Sequence, residues 1–299
     1  MLDRYLLRYF LAVVDQGNFS RAAEACNVSQ PTLSVGIAKL ERTLDQQLFV
    51  RSNQRVELTT AGTQFLVHAR RIEREFNLVT QSMASSTNLP SFRLGVLGSI
   101  PGALVATALS RAQPGHKHRF ELVFGTEREL IGRLIKGRID LALTLVDRGA
   151  DRFHERAIIT EAYTLAVARE HRLARAVEIE PQELASETMI VRRHCEALSE
   201  TSRFFTERGV RPHFALRSTS DERVLLMVAA GLGVTVIPEC YRQDGVAQPH
   251  LSGFNLRRTI GWLAAHGMEH LLSEPMPLML ELEGALQSPS SSLKLVESA

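Results

Sequence analysis

The chain has 299 residues, with 35 Lys+Arg against 33 Asp+Glu and a net charge of +2. That length holds two or three domains with real cores. At 44% hydrophobic and 23% charged residues the composition is that of a folded soluble protein, and the charge balance excludes a strongly basic protein that coats nucleic acid indifferently.

In chain order, the first informative stretch is Phe19–Glu41, FSRAAEACNVSQPTLSVGIAKLE. Ser20 is positioned to cap a short helix through Arg21–Cys26, and Ser29 a second through Gln30–Thr43. Ala23 leaves room for the second helix to cross, and Asn27 suits a left-handed turn. Leu33, Ile37, Leu40 and Leu44 recur at four, three and four, so one face of the second helix is core. Gln30, Ser34 and Ala38 lie on other faces. This is the form of a helix-turn-helix, whose second helix enters the DNA major groove.

LFVRSNQRVEL then reads as strand, turn at Ser52–Asn53, and strand: a wing beside the minor groove. Arg51 is its phosphate-contact candidate and Arg55 its minor-groove candidate. Residues 1–58 carry seven Lys+Arg and six Asp+Glu, so DNA affinity must come from placed arginines and from two wings acting together. From Thr59, a candidate N-cap, Phe65, Ala69, Ile72, Phe76, Val79 and Met83 form a heptad stripe. With nothing local expected to cover it, the stripe predicts an antiparallel helix pair between two chains. SSTNLPS, within roughly residues 84–91, reads as a hinge.

The remainder alternates strand and helix. FRLGVL, RFELVFG and IDLALTL are strands, with helices over Pro101–Ala112 and from Thr126 to Lys136, the latter opened by a capping box to Glu129. A β-α-β-α-β run predicts a parallel sheet. YTLAVA, TMIV, HFALR, GVTVIP and RTIGWLAA continue the strands. Glu196–Arg208, Asp221–Ala230 and a segment near Met268–Gly284 continue the helices.

The N-terminal run from LLRYFLAVVDQGNFSRAAEACNVSQPTLS through LFVR to LTTAG resembles the LysR-type transcriptional regulators, closely over about Leu2–Gly62 and by pattern to about residue 285. SQPTLS, LF-x-R and LTTAG are its specific parts. The resemblance implies that Ser29, Gln30, Pro31, Thr32 and Ser34 begin the recognition helix. Gln30 can pair with an adenine edge, and the hydroxyls can hold phosphates. The chain departs from the family at Val35, which could touch a thymine methyl, and at Gly36, which costs roughly 1 kcal/mol relative to alanine inside a helix.

The resemblance also implies a fold class: α/β, with a winged helix-turn-helix (1–58), a linker helix and hinge (59–90), and a two-lobed effector domain like the periplasmic binding proteins (91–299). Lobe I covers about 91–161 and 266–299, and lobe II about 162–265. A ligand would lie between the lobes at strand C-termini and helix N-termini. Ser99 and Ile100, Thr126, Arg193, His194, Thr219 and Ser220 fall there, and a small organic anion is the expected effector. The tail SPSSSLKLVESA reads as partly disordered.

Cys26, Cys195 and Cys240 are widely spaced and odd in number, which fits neither a disulfide framework nor a zinc site. Cationic neighbours would lower the pKa of Cys195 and make redox sensing conceivable. No second cysteine is near in sequence, so an inert or ligand-lining thiol is the stronger reading. His116 and His118 read as surface loop residues. The N-terminus lacks an export-signal pattern, and the longest apolar run, Val224–Pro238, is too short for a bilayer. A cytoplasmic protein without membrane contact is expected.

These features predict a ligand-responsive, sequence-specific regulator of transcription. Its partners are double-stranded operator DNA, a small effector, further copies of itself in a dimer of dimers, and RNA polymerase. No cofactor, metal or enzymatic activity is expected, since no phosphate loop or nucleophile elbow is present. An exported solute-binding protein or a DNA-compacting protein fits less well, the first for its winged segment and the second for its low charge.

Overall fold

The computed structural model describes residues 2–51, 56–83, 91–112, 119–148, 153–265 and 267–287. The chain divides into two compact units, Met1–Pro90 with Ile135–Arg138, and Ser91–Leu134 with Ile139–Ala299.

The first unit opens with a helix that the sequence reading passed over, α1 (Arg4–Gln16). Its buried face is Leu6, Leu7, Phe10, Leu11 and Val13, and it stops at Gly17, which sits at φ 61° and donates its N–H to the Val13 carbonyl. Next come α2 (Phe19–Ala25) and α3 (Gln30–Leu44). The cap of α2 is Asn18 rather than Ser20: Asn18 Oδ1 accepts the N–H of Ser20 at 2.8 Å and of Arg21 at 3.1 Å. Ser29 caps α3 as expected, taking the Thr32 N–H at 3.3 Å, and Asn27 turns the chain at φ 55°. Strands β1 (Phe49–Arg51) and β2 (Val56–Leu58) pair antiparallel, and α4 (Thr60–Met83) follows. Thr59 Oγ1 accepts the Gly62 N–H at 2.9 Å, capping α4.

The linker stripe is not left without local cover. Ala69 is fully buried, and Phe65 and Ile72 pack against the core of the winged unit. The Phe65 ring lies edge-on to Phe10 at 4.9 Å. Only lower down does the stripe reach solvent, with Phe76 43% and Val79 58% exposed and the Arg4 guanidinium stacked on the Phe76 ring. The Met83 side chain, the turn at Ser52–Asn53, most of the hinge, His116, His118 and the C-terminal tail lie outside the described residues.

The second unit runs β3 (Ser91–Leu97), α5 (Gly102–Ala112), β4 (Arg119–Gly125), α6 (Glu127–Ile135), β5 (Leu141–Leu145) and β6 (His154–Ala168). It continues with β7 (Glu178–Ile179), β8 (Thr188–Arg192), α7 (Leu198–Glu207), β9 (His213–Ser218), α8 (Asp221–Ala229) and β10 (Thr235–Pro238). Last come β11 (Val246–Ala247), β12 (His250–Leu251), β13 (Arg257–Ala264), α9 (His270–Ser273) and α10 (Pro277–Gln287). β3 pairs parallel with β4 and with β5, as the alternating pattern requires, and the main sheet runs β10-β6-β13-β5-β3-β4.

Two boundaries differ from the sequence reading. β6 begins at His154, well before YTLAVA, and passes unbroken from one lobe into the other, where β10 and β11 pair with its far end. β13 lies between β5 and β6, and its Ile260 and Trp262 are buried in the first lobe's core. The return crossing therefore precedes Arg257 rather than falling at residue 265. The expected single helix near Met268–Gly284 is two, because Pro275 and Pro277 break the amide ladder between them. The second lobe encloses its own core around Tyr163, Leu165, Phe204, Phe205 and Val236.

Candidate functional site

The leading edge of α3 rests on a buried back face. Leu33 and Leu40 are 0% exposed and Ile37 is 1%, each burial contributing roughly 1.5–3 kcal/mol. In front, Ser29, Gln30, Pro31 and Thr32 are exposed, Ser34 is half-buried and Val35 is 65% exposed. Gln30 donates its Nε2 to Ser34 Oγ at 3.0 Å, and the Ser29 and Thr32 hydroxyls meet at 2.7 Å. The polar tips are thus prearranged along one ridge.

Gly36 has a structural reason. A Cβ there would stand 2.6 Å from the Tyr9 ring, so Gly36 admits α1 rather than facing outward. Gly62 is tighter still: its Cβ would fall 2.1 Å from the Leu48 carbonyl oxygen. The final glycine of LTTAG therefore lets α4 press against the start of the wing. That start is also held by Glu41, 4% exposed, whose Oε1 accepts the N–H of Leu48 at 2.9 Å. Arg51 lies on β1. Its side chain, and Arg55 altogether, fall outside the described residues.

In the second unit a cavity of about 680 Å³ opens between the lobes, lined by Ser99, Ile100, Thr126, His194, Thr219 and Ser220 among others. Six of the seven expected effector residues therefore converge. Arg193 instead lines a smaller neighbouring cavity with Arg128 and Glu127.

Sequence reasoning missed the cluster behind Ser99. Arg258, on β13, is 3% exposed. It donates to Ser99 Oγ at 2.7 Å, to the Ser99 carbonyl at 3.0 Å, to Glu161 Oε1 at 2.9 Å and to Glu196 Oε1. Glu196 in turn accepts the Ser99 hydroxyl at 2.8 Å and the Tyr163 hydroxyl at 2.7 Å. Burial alone would raise the Glu196 carboxyl, but Arg258 and then Arg192 outweigh it and hold it at about 2. The seat expected to take an effector's carboxylate at Ser99 is filled by the chain's own. One signal was available: Arg258 opens the apolar strand RTIGWLAA, where a buried guanidinium requires carboxylate partners.

A second buried pair joins Arg192 to Asp221, with Nε to Oδ1 at 2.7 Å. Arg192 Nη1 also lies 3.2 Å from Cys195 Sγ. The expectation of a lowered Cys195 pKa is reversed: burial pushes the thiol up, and Arg192 offsets this only in part. Burial likewise pushes the Cys240 thiol up to about 12, against the pull of Arg258.

A family model for bacterial regulatory helix-turn-helix proteins of the lysR family matches residues 5–63, and one for the LysR substrate binding domain matches residues 87–272. The chain belongs to the LysR family. It is a LysR-type DNA-binding transcriptional regulator with an effector-responsive domain. It is 28% identical over 264 residues to the DNA-binding transcriptional dual regulator OxyR of Escherichia coli K12, covering 85% of this chain and 87% of that one. It is 32% identical over 240 residues to a probable hydrogen peroxide-inducible genes activator of Mycobacterium avium, covering 78% and 76%.

Among solved structures it is similar to a Corynebacterium glutamicum OxyR cysteine variant, with a TM-score of 0.56, 21% identity, and 99% and 97% of the two chains covered. Full-length BenM gives 0.52 and 20%, covering 96% and 97%. These two establish the α/β fold with its helix-turn-helix. No helix among the described residues of this LysR-type chain is long and apolar enough to cross a membrane.

Proposed function

We propose that this cytoplasmic regulator reads its operator through Ser29, Gln30, Pro31, Thr32, Ser34 and Val35, with Arg51 and Arg55 of the wing on the backbone. A small effector binds between the lobes. Residues 1–58 form the DNA-binding part, 59–90 the connection and 91–299 the effector-binding part. The observation that carries the reading is the ridge on α3: polar groups and one apolar side chain held outward over a fully buried back face. The heptad spacing of α4, running on through Phe76, Val79 and Met83, supports self-association into dimers and then a dimer of dimers. Paired recognition helices then reach half-sites one or more helical turns apart.

Effector binding changes how the lobes pack and thereby the spacing or bend of the bound DNA. The testing experiment is a fluorescence-anisotropy titration of operator against scrambled DNA. Gln30→Ala is expected to lower the specific-to-nonspecific ratio about tenfold or more, since one paired base contact carries about 1–3 kcal/mol of discrimination. An unchanged ratio would remove Gln30 from the interface.

Peroxide response, named in several relatives, receives no support from thiol chemistry here. Cys195 is half-buried and its pKa is raised, and a thiol rather than a thiolate is a poor peroxide nucleophile. Cys195 is read as a structural or ligand-lining group.

A further inference from the structure

We propose that the inter-lobe cavity selects a small organic cation, an amine carried on an apolar body, and rejects the organic anion that the sequence suggested. The proposal rests on the reading of this cavity as the effector site.

Three helices begin at the cavity, and helix N-termini are where an anionic ligand ordinarily finds its N–H donors. Each is already capped by the chain. At α5, Glu222 reaches across from the second lobe and its Oε1 accepts the Gly102 N–H at 3.2 Å. The Ser99 hydroxyl just before α5 is given to Glu196. At α6, Glu129 Oε2 accepts the Thr126 N–H at 2.8 Å and the Thr126 hydroxyl at 2.9 Å. At α8, Ser220 Oγ accepts the Arg223 N–H at 3.3 Å. An incoming carboxylate thus finds a donor at each of these helix starts already taken by the chain.

The charges on the wall point the same way. Glu129, Asp221 and Glu222 line the cavity against a single imidazole, His194, and no lysine or arginine does among the described residues. Asp221 is neutralised by Arg192 behind it. Glu129, from the first lobe, and Glu222, from the second, have no cationic hydrogen-bond partner, although the Thr126 hydrogen bonds and then the charges of His194 and Arg133 hold the Glu129 carboxyl below its usual range. Each keeps one carboxylate oxygen without a hydrogen bond among the described residues. An anion would meet two like charges, whereas an ammonium group meets one acceptor from each lobe. The rest of the wall is apolar: Ile100, Val105, Leu109, Leu122 and the half-exposed Phe124 ring, whose face favours a cation. The volume is in the range of small-molecule sites.

The test uses the full chain and three matched probe series of alkyl and arylalkyl compounds: amines, the corresponding alcohols and the corresponding carboxylates. Binding is read by thermal shift and by titration calorimetry. The amines are expected to bind and the carboxylates to give no shift. Glu129→Gln with Glu222→Gln is expected to weaken the amines about tenfold while leaving the alcohols unchanged. Ala106→Phe, which fills the cavity from the exposed side of α5, abolishes binding of both.

Carboxylates that outbind amines, amines indifferent to the double substitution, or no shift from any amine would each overturn the charge assignment. If alcohols bind and respond to Ala106→Phe, the cavity reading survives that loss. If probes bind but ignore Ala106→Phe, the cavity reading itself fails.

Discussion

Glu196→Gln isolates the charge of one buried carboxylate without changing its shape. Its side chain is 5% exposed, and the carboxyl, held by Arg258 at about 2 in the folded chain against the ordinary value of 4.5, is favoured in its ionised form by folding. A difference of roughly 2.5 pH units corresponds to about 3 kcal/mol. The folded pKa is depressed, so this stability is fully present above the unfolded pKa near 4.5. It is lost as pH falls through the folded value near 2. At pH 7 the variant should unfold about 3 kcal/mol more easily. Near pH 3, with the unfolded carboxyl protonated and the folded one still largely ionised, the deficit should be about half that.

The assay is urea unfolding of the full chain followed by Trp262 fluorescence. Trp262 is the single tryptophan, is 0% exposed in the first lobe's core and so reports on this unit. With a denaturant slope of about 1–3 kcal/mol per molar, the midpoint should fall by about 1 M or more at pH 7. A shift equally large at both pH values would mean that packing, not charge, was lost. No shift at pH 7 would show that Arg258 does not depend on Glu196.

Gly62→Ala should destabilise the winged unit by about 1–3 kcal/mol or more, because the new methyl meets a backbone carbonyl that cannot rotate away; circular dichroism melts with normal midpoints would contradict the packing. Arg51→Ala with Arg55→Ala should weaken operator binding and flatten its dependence on salt by up to about two units of slope, and an unchanged slope across a salt series would take the wing off the backbone. Micromolar peroxide should leave operator affinity unchanged, in the parent and in Cys195→Ser alike. A peroxide response lost in Cys195→Ser would show that its thiol ionises despite burial.

Local signals carried most of the legible structure. The spacing of Leu33, Ile37 and Leu40 located α3, and the Ser29 and Thr126 caps were found where their sequence motifs placed them. What the sequence hid depended on partners far away in the chain. Glu196 and Arg258 are 62 residues apart, and neither sits in a motif, so nothing local marks them as one cluster. The α4 stripe had the right period but an incomplete reading. Periodicity shows that a face is covered, not by what, and Phe65 and Ala69 turn out to be covered by α1 and its neighbours. The anion expectation failed for a related reason: a serine before a helix looks the same whether its ligand comes from solution or from the chain.

The unbroken course of β6 limits how the effector domain can move. β6, a fifteen-residue strand whose first-lobe half is hydrogen-bonded to β13 over Arg257–Ala264, carries the chain across without a loop, whereas the return crossing over residues 252–256 runs through irregular backbone. Motion must be spread as torsion along a stiff ribbon. The bulge between Ile260 and Gly261 lies within the first lobe's core and away from the crossing, and a Cβ on Gly261 there would come within 2.4 Å of the Arg156 carbonyl oxygen. The effector's signal should therefore bend or twist β6 beyond Ala162, and a side chain at Gly261 should destabilise the first lobe rather than block that motion.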